Sequence, residues 1–123
     1  MLYYHILTGS LYREAKFLGT GYSGKGKTKD YGRNNPDMVS IAGAGPIPPG
    51  VYQIGSAHKS PNTGPMTFDL TPLDPSKVYG RSLFRIHGNN DSNNASHGCI
   101  ILGPVLRADI AAHDDQEITV TSE

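Results

Sequence analysis

Ser82-Leu83-Phe84-Arg85-Ile86-His87-Gly88-Asn89-Asn90-Asp91-Ser92-Asn93-Asn94-Ala95-Ser96-His97-Gly98-Cys99-Ile100-Ile101-Leu102 is the stretch that sets the reading of this chain. Ser82 to His87 alternates as a strand. Phe84 and Ile86 point to one face, and Leu83, Arg85 and His87 to the other. Gly88 to Ala95 is a polar loop rich in Asn, and Cys99 to Leu102 is an apolar, strand-like return. A strand, a short loop and a second apolar run bring His87 and Cys99 to neighbouring segment ends. Eleven residues, positions 88–98, lie between them.

Outward from there the chain is rich in strands and turns. Leu2 to Leu7 and Leu11 to Leu18 read as strands around Thr8-Gly9-Ser10. Gly19 to Thr28 and the polar residues to Asp37 read as a long loop, and Val39 to Ala42 as a short strand. Gly43 to Gly50 carries three prolines and is irregular. Val51 to Ile54 is a strand, and Met66 to Leu70 another, with Met66, Phe68 and Leu70 on one face. Gly103-Pro104 opens a short helix that buries Val105, Leu106 and Ile110, and Glu117 to Thr121 is a closing strand. The expected fold is mainly β: one small domain over residues 1–123, an antiparallel sandwich or barrel with one short helix after Cys99.

Composition agrees. Gly and Pro make up 24 of 123 residues, against an average of roughly 12%. Eleven basic and eleven acidic residues leave a net charge of zero, which argues against a dedicated nucleic-acid or membrane-surface binder. No apolar run approaches the ~20 residues of a membrane span. The N-terminus lacks the basic region of a secretory signal, so synthesis in the cytoplasm without a signal peptide is expected.

Cys99 is the only cysteine. A buried structural thiol is the ordinary fate of such a residue, but the adjoining Ser-His-Gly and the nearby His-Gly favour a nucleophile. His87 is the preferred base. His97, two residues before Cys99, shapes the pocket. Gly98 lets the backbone turn, so that the Gly98 and Cys99 N–H groups face a developing oxyanion, with Ser96 in support. The Gly88 carbonyl fixes the imidazole tautomer. Arg85, on the His87 face, is placed for a substrate carboxylate; Arg107 and Arg81 are weaker candidates. Two rivals fail on context. Gly21 to Thr28 matches a P-loop pattern literally, but Lys29 to Pro36, where the helix should start, makes a poor helix. His87, Asp91, His97 and Cys99 match no common zinc spacing, so neither metal nor cofactor is expected.

Ser96-His97-Gly98-Cys99 with an upstream His resembles the signature of YkuD-type L,D-transpeptidases, although the spacing from His87 is shorter and Ile100 follows the cysteine. The chain resembles more closely the compact type VI secretion L,D-transpeptidase-like effectors. It shares with them Tyr22-Ser23-Gly24, Gly45 to Ile54, Gly80 to Gly88, Ser96 to Ile100 and Arg107, in that order. The resemblance implies a substrate in peptidoglycan, at the bond between diaminopimelate and the fourth-position D-Ala. It implies Cys99 as nucleophile, His87 as general base and a thioester acyl-enzyme resolved by water or by an amine. Arg85, Arg107, Tyr22 and Ser23 become candidates for touching the stem peptide. Delivery into the periplasm of a target bacterium, a secretion-machine partner and a cognate immunity protein are also implied. A silent, wall-binding module on the same fold is the alternative.

Overall fold

The computed structural model describes residues 1–123. The strands are β1 (Leu2–His5), β2 (Ser10–Arg13), β3 (Lys16–Thr20), β4 (Tyr22–Ser23), β5 (Gly50–Ile54), β6 (His58–Ser60), β7 (Gly64–Pro72), β8 (Phe84–His87), β9 (Ile100–Ile101) and β10 (Glu117–Thr121), with one helix, α1 (Pro104–His113), before β10. Their order in the sheet is β3-β2-β1-β10-β5-β7-β8-β9-β4, and β6 pairs with β7. Most neighbours are antiparallel, as expected. β1 runs parallel to β10 and β8 parallel to β9, an element the alternation pattern did not contain.

The two ends of this order, β3 and β4, are consecutive in the chain and separated by Gly21 alone. The sheet therefore curls until its edges meet, which makes it a nearly closed barrel. Gly21 lies at the seam: its N–H donates to the Gly9 carbonyl at 2.8 Å. A Cβ on Gly21 would sit 2.0 Å from the Ile101 carbonyl oxygen, so only glycine fits. Closure removes most of the exposed edge that an open sheet would present. The interior is filled by alternate residues of the strands, with Leu2, Tyr4, Tyr52, Ile86, Ile100 and Ile118 fully buried.

Several expected elements differ. Leu11 to Leu18 is two strands, because Glu14 adopts a left-handed turn (φ 49°) and the chain doubles back. The expected loop from Gly19 includes the end of β3 and all of β4, and no helix comes after the P-loop-like run. Val39 to Ala42 is not a strand. Asn35 caps a 3-10 turn over Pro36–Met38, and the chain goes on turning through bonds from Ile41 N–H to Met38 and from Gly45 N–H to Ile41. Pro36 at the first position and a capping Asn outweigh a short apolar run. Met66 takes φ 53° and leaves the Phe68–Leu70 face, while Thr67 is buried. In α1, Leu106 and Ile110 lie one helical repeat apart and face the core, whereas Val105 is 80% exposed; it is rotated about 100° from Leu106.

Candidate active site

β8 delivers Arg85 and His87 to one side of the sheet, and β9, its parallel neighbour, begins directly after Cys99. Cys99, His87, His97 and Arg85 line a single cleft of about 450 Å³, together with Leu83, Asn62, Thr63, Gly88, Asn89, Asn90 and Ala95. The expected thiol and imidazoles thus share one space.

His87 is 5% exposed, and its Nδ1 lies 2.9 Å from the Gly88 carbonyl oxygen. A carbonyl only accepts, so Nδ1 carries the proton and Nε2 is left as the base. Burial lowers the His87 pKa from its ordinary value; the Gly88 bond raises it, and the Arg107 and Arg85 charges lower it again. Burial raises the Cys99 pKa, opposed by the Arg85 backbone N–H and by the guanidinium charges of Arg85 and Arg81. Each shift favours a neutral group at rest: thiol and imidazole, rather than thiolate and imidazolium.

The turn bearing Cys99 is built from below. Ser96 is fully buried. Its Oγ donates to the Cys99 carbonyl at 2.6 Å and accepts from Gly98 N–H at 3.1 Å and Gly24 N–H at 3.0 Å. The Ser23 hydroxyl, also fully buried, donates to the Gly98 carbonyl at 3.3 Å and accepts from Ile47 N–H at 2.9 Å. Gly98 has φ 133°, and a Cβ there would meet an Arg81 nitrogen at 2.4 Å. One expectation changes here. The Gly98 N–H is occupied by Ser96, so of the two proposed oxyanion donors only the Cys99 N–H has no partner in the protein.

The other candidates separate into groups. Arg85 stands in the cleft, its Nε on Asp69 at 3.0 Å and Nη1 on Ser60 at 3.4 Å, with Nη2 unpaired. Arg107 is outside the cleft lining. It donates to the Leu102 and Pro65 carbonyls at 3.0 and 2.9 Å, and its guanidinium fills the space beside Gly88. Gly88 therefore makes room for Arg107 as well as holding the base. Tyr22 and Ser23 are buried outside the lining. The Tyr22 hydroxyl donates to Asn89 at 2.5 Å and accepts from Ala95 N–H at 2.9 Å, which pins both ends of the Asn-rich loop. His97 is in the cleft, its Nδ1 3.3 Å from the Gly43 carbonyl.

Arg81 carries more than the sequence indicated. Its guanidinium donates to the carbonyls of Val39, Pro46, Gly45 and His97, at 2.6, 2.7, 2.9 and 3.4 Å. It pairs with no carboxylate, so its charge stays available to the thiol behind which it lies. The Gly80-Arg81 pair within the shared pattern was its only signal. Leu83 was marked by the strand alternation that put it on the Arg85 and His87 face; Asn62 and Thr63 had no signal. Nowhere do three His, Cys, Asp or Glu side chains gather as metal ligands would.

The model of the Tlde1 domain matches residues 18–119, most of the chain and all of this site. The chain belongs to the Tlde1 domain family. The resemblance to type VI secretion L,D-transpeptidase effectors is therefore a family relationship. Among solved structures, this Tlde1 domain is similar to Bd1075 of Bdellovibrio bacteriovorus, with TM-score 0.62 and 12% identity, covering 100% of this chain and 48% of that one. It is also similar to LdtMt1, an LD transpeptidase solved with imipenem, with TM-score 0.50 and 16% identity, covering 98% of this chain and 57% of that one. The Tlde1 domain thus has the L,D-transpeptidase fold and spans about half the length of these proteins. No curated protein matches the chain.

Proposed function

We propose that this Tlde1 domain is a cysteine-dependent acyltransferase of peptidoglycan, acting on the diaminopimelate–D-Ala bond of tetrapeptide stems. The observation that carries the reading is Cys99 in one cleft with a buried His87 whose tautomer is already set. Family membership supplies the substrate class.

In this mechanism His87 Nε2 takes the thiol proton as Cys99 Sγ adds to the diaminopimelate carbonyl. The Cys99 N–H donates to the oxyanion. The tetrahedral intermediate collapses with C–N cleavage, and His87 returns the proton to the departing D-Ala amine. The thioester then meets water, activated by His87, to give a tripeptide stem, or an amine, to give an exchanged or cross-linked one. The unpaired edge of Arg85 meets a stem carboxylate, since a guanidinium favours bidentate contact with that group. Delivery to the periplasm of a rival cell, with a secretion-machine partner and a cognate immunity protein, belongs to the same reading.

The test is mass spectrometry of muropeptides incubated with the protein and with Cys99→Ala. Loss of D-Ala from tetrapeptide stems, absent in the variant, is expected. If both proteins stay folded and leave the stems unchanged, the catalytic reading falls. Retained binding to the wall would then favour a non-catalytic wall-binding module.

A further inference from the structure

Leu83 occupies a position that its own chemistry disfavours. It has φ 62° and is 79% exposed. Left-handed backbone is unfavourable for a bulky side chain, and residues held there cluster at working sites. Here the residue also touches the nucleophile, since its carbonyl accepts from Cys99 Sγ at 3.6 Å. Leu83 lines two clefts. One is the catalytic cleft. The other, of about 570 Å³, is bounded by Leu70, Pro72, Pro75, Val78 and Phe84, and shares Leu83 and Arg85 with the first.

The two clefts differ in character. The catalytic one is walled mainly by amides and imidazoles; the second has aliphatic, proline and aromatic carbon on one side and Asp69, Thr71, Arg81 and Ser82 at its polar edge, where Arg81 and Arg85 together outweigh the one carboxylate. A carboxylate beside an apolar side chain suits the second: Arg85 offers its unpaired Nη2, and the apolar wall takes the rest. The methyl of a departing D-Ala would fill a small part of this volume.

We propose that the second cleft is the binding site for the amine that receives the acyl group, an amino acid or peptide end with a bulky apolar side chain and a free carboxylate, and that Leu83 is the ridge that holds it against the thioester. This rests on the acyl-transfer reading above. The amine nitrogen attacks the thioester carbonyl, the C–N bond forms, the C–S bond breaks, and the amine proton returns through His87 to the Cys99 sulfur. Because the acceptor takes the place D-Ala leaves, the matching probes have D configuration.

Two measurements test this. In the first, Cys99 is alkylated with chloroacetamide and with N-(2-phenylethyl)chloroacetamide, each rate taken relative to glutathione. The apolar reagent should be favoured about tenfold, and Leu83→Gly should remove most of that preference. In the second, D-leucine and D-serine compete for transfer onto tetrapeptide stems. D-leucine should be favoured about tenfold in the unsubstituted protein and about twofold in Leu83→Gly. The thermal midpoint should not fall, because glycine takes φ 62° freely; Leu83→Asn, which tolerates the same backbone, serves as the second variant. Unchanged preferences in both variants, or no apolar preference in the unsubstituted protein, overturn the proposal. D-Ala release without any transfer overturns the acceptor site and leaves the proposed function standing. Absence of D-Ala release removes the proposed function and the acceptor role with it, and the alkylation ratio then reports only whether an apolar cleft adjoins the thiol.

Discussion

The two halves of the reactive pair are held by different means. His87 is at the end of a regular strand, paired with Ile101 of β9, its own carbonyl accepting from Leu102 N–H and the Gly88 carbonyl fixing its ring. Cys99 is on an irregular turn that has no ladder of its own at that point. Side chains from distant parts of the chain hold it: Ser23, Arg81 and Ser96 bond to the backbone around it. The base is thus positioned by secondary structure and the nucleophile by a buried polar network. Networks of this kind are costly when one member is lost, because the remaining groups stay buried without partners. Substitutions should therefore separate the two halves: changes at the base remove chemistry, and changes beneath the nucleophile remove stability and chemistry together.

The sharpest test is His87→Ala. General-base loss should lower turnover of tetrapeptide stems about 10³-fold, with a smaller loss of unfolding free energy in urea than Ser96→Ala, since the imidazole lines the cleft and gives up one hydrogen bond. A large stability loss there would break the contrast. Ser96→Ala is the converse. It leaves the Gly24 and Gly98 N–H groups and the Cys99 carbonyl without Ser96 Oγ and should cost about 3 kcal/mol of unfolding free energy, measured by urea titration, together with activity. Retained stability would mean that water replaces the hydroxyl and that the turn is less dependent on it.

The same contrast explains what the sequence disclosed. The alternation of Phe84, Arg85, Ile86 and His87 is a period-two signal, so the strand, its buried face and the place of the base were legible. The helix start at Gly103-Pro104 was legible for the same reason: local geometry leaves a local mark. Barrel closure through Gly21 was not, because it depends on strands at opposite ends of the sheet order meeting. The nucleophile was legible as a type of residue, but its support was not. Ser23 bonds to a carbonyl 75 positions away and Arg81 to one 42 positions away, and no periodicity encodes such pairs. Tyr22 and Ser23 were expected to touch the stem peptide, yet neither lines the cleft. Their bonds, to the loop and the turn rather than into the cleft, are visible only in three dimensions.

Arg81 lies between the two behaviours. Arg81→Met strips a donor from several backbone carbonyls and should cost about 2 kcal/mol of stability. It also removes a positive charge that opposes the burial-driven rise of the Cys99 pKa. Alkylation of Cys99 by iodoacetamide should then need a higher pH, whereas Arg81→Lys should keep most of the charge effect while losing part of the carbonyl clamp. A purely structural Arg81 would leave the alkylation profile where it was in both variants.

The smallest effect expected is a pH dependence at the base. Burial, the largest cause, depresses the His87 pKa below the ordinary imidazole value of 6.5. In the window between the depressed value and 6.5 the unfolded chain holds a proton on this residue that the folded chain does not, so stability rises with pH across that window. Above it, His87 contributes no further slope. Activity should follow the folded value: the acid limb of kcat/KM should lie below 6.5, because the base works only when neutral. Arg107→Gln removes one of the charges that lower this pKa, so the acid limb should move up toward the ordinary value. A limb that stays in place would mean that burial, the Gly88 bond and Arg85 set the base, and Arg107 would then matter only for the Leu102 and Pro65 carbonyls it holds.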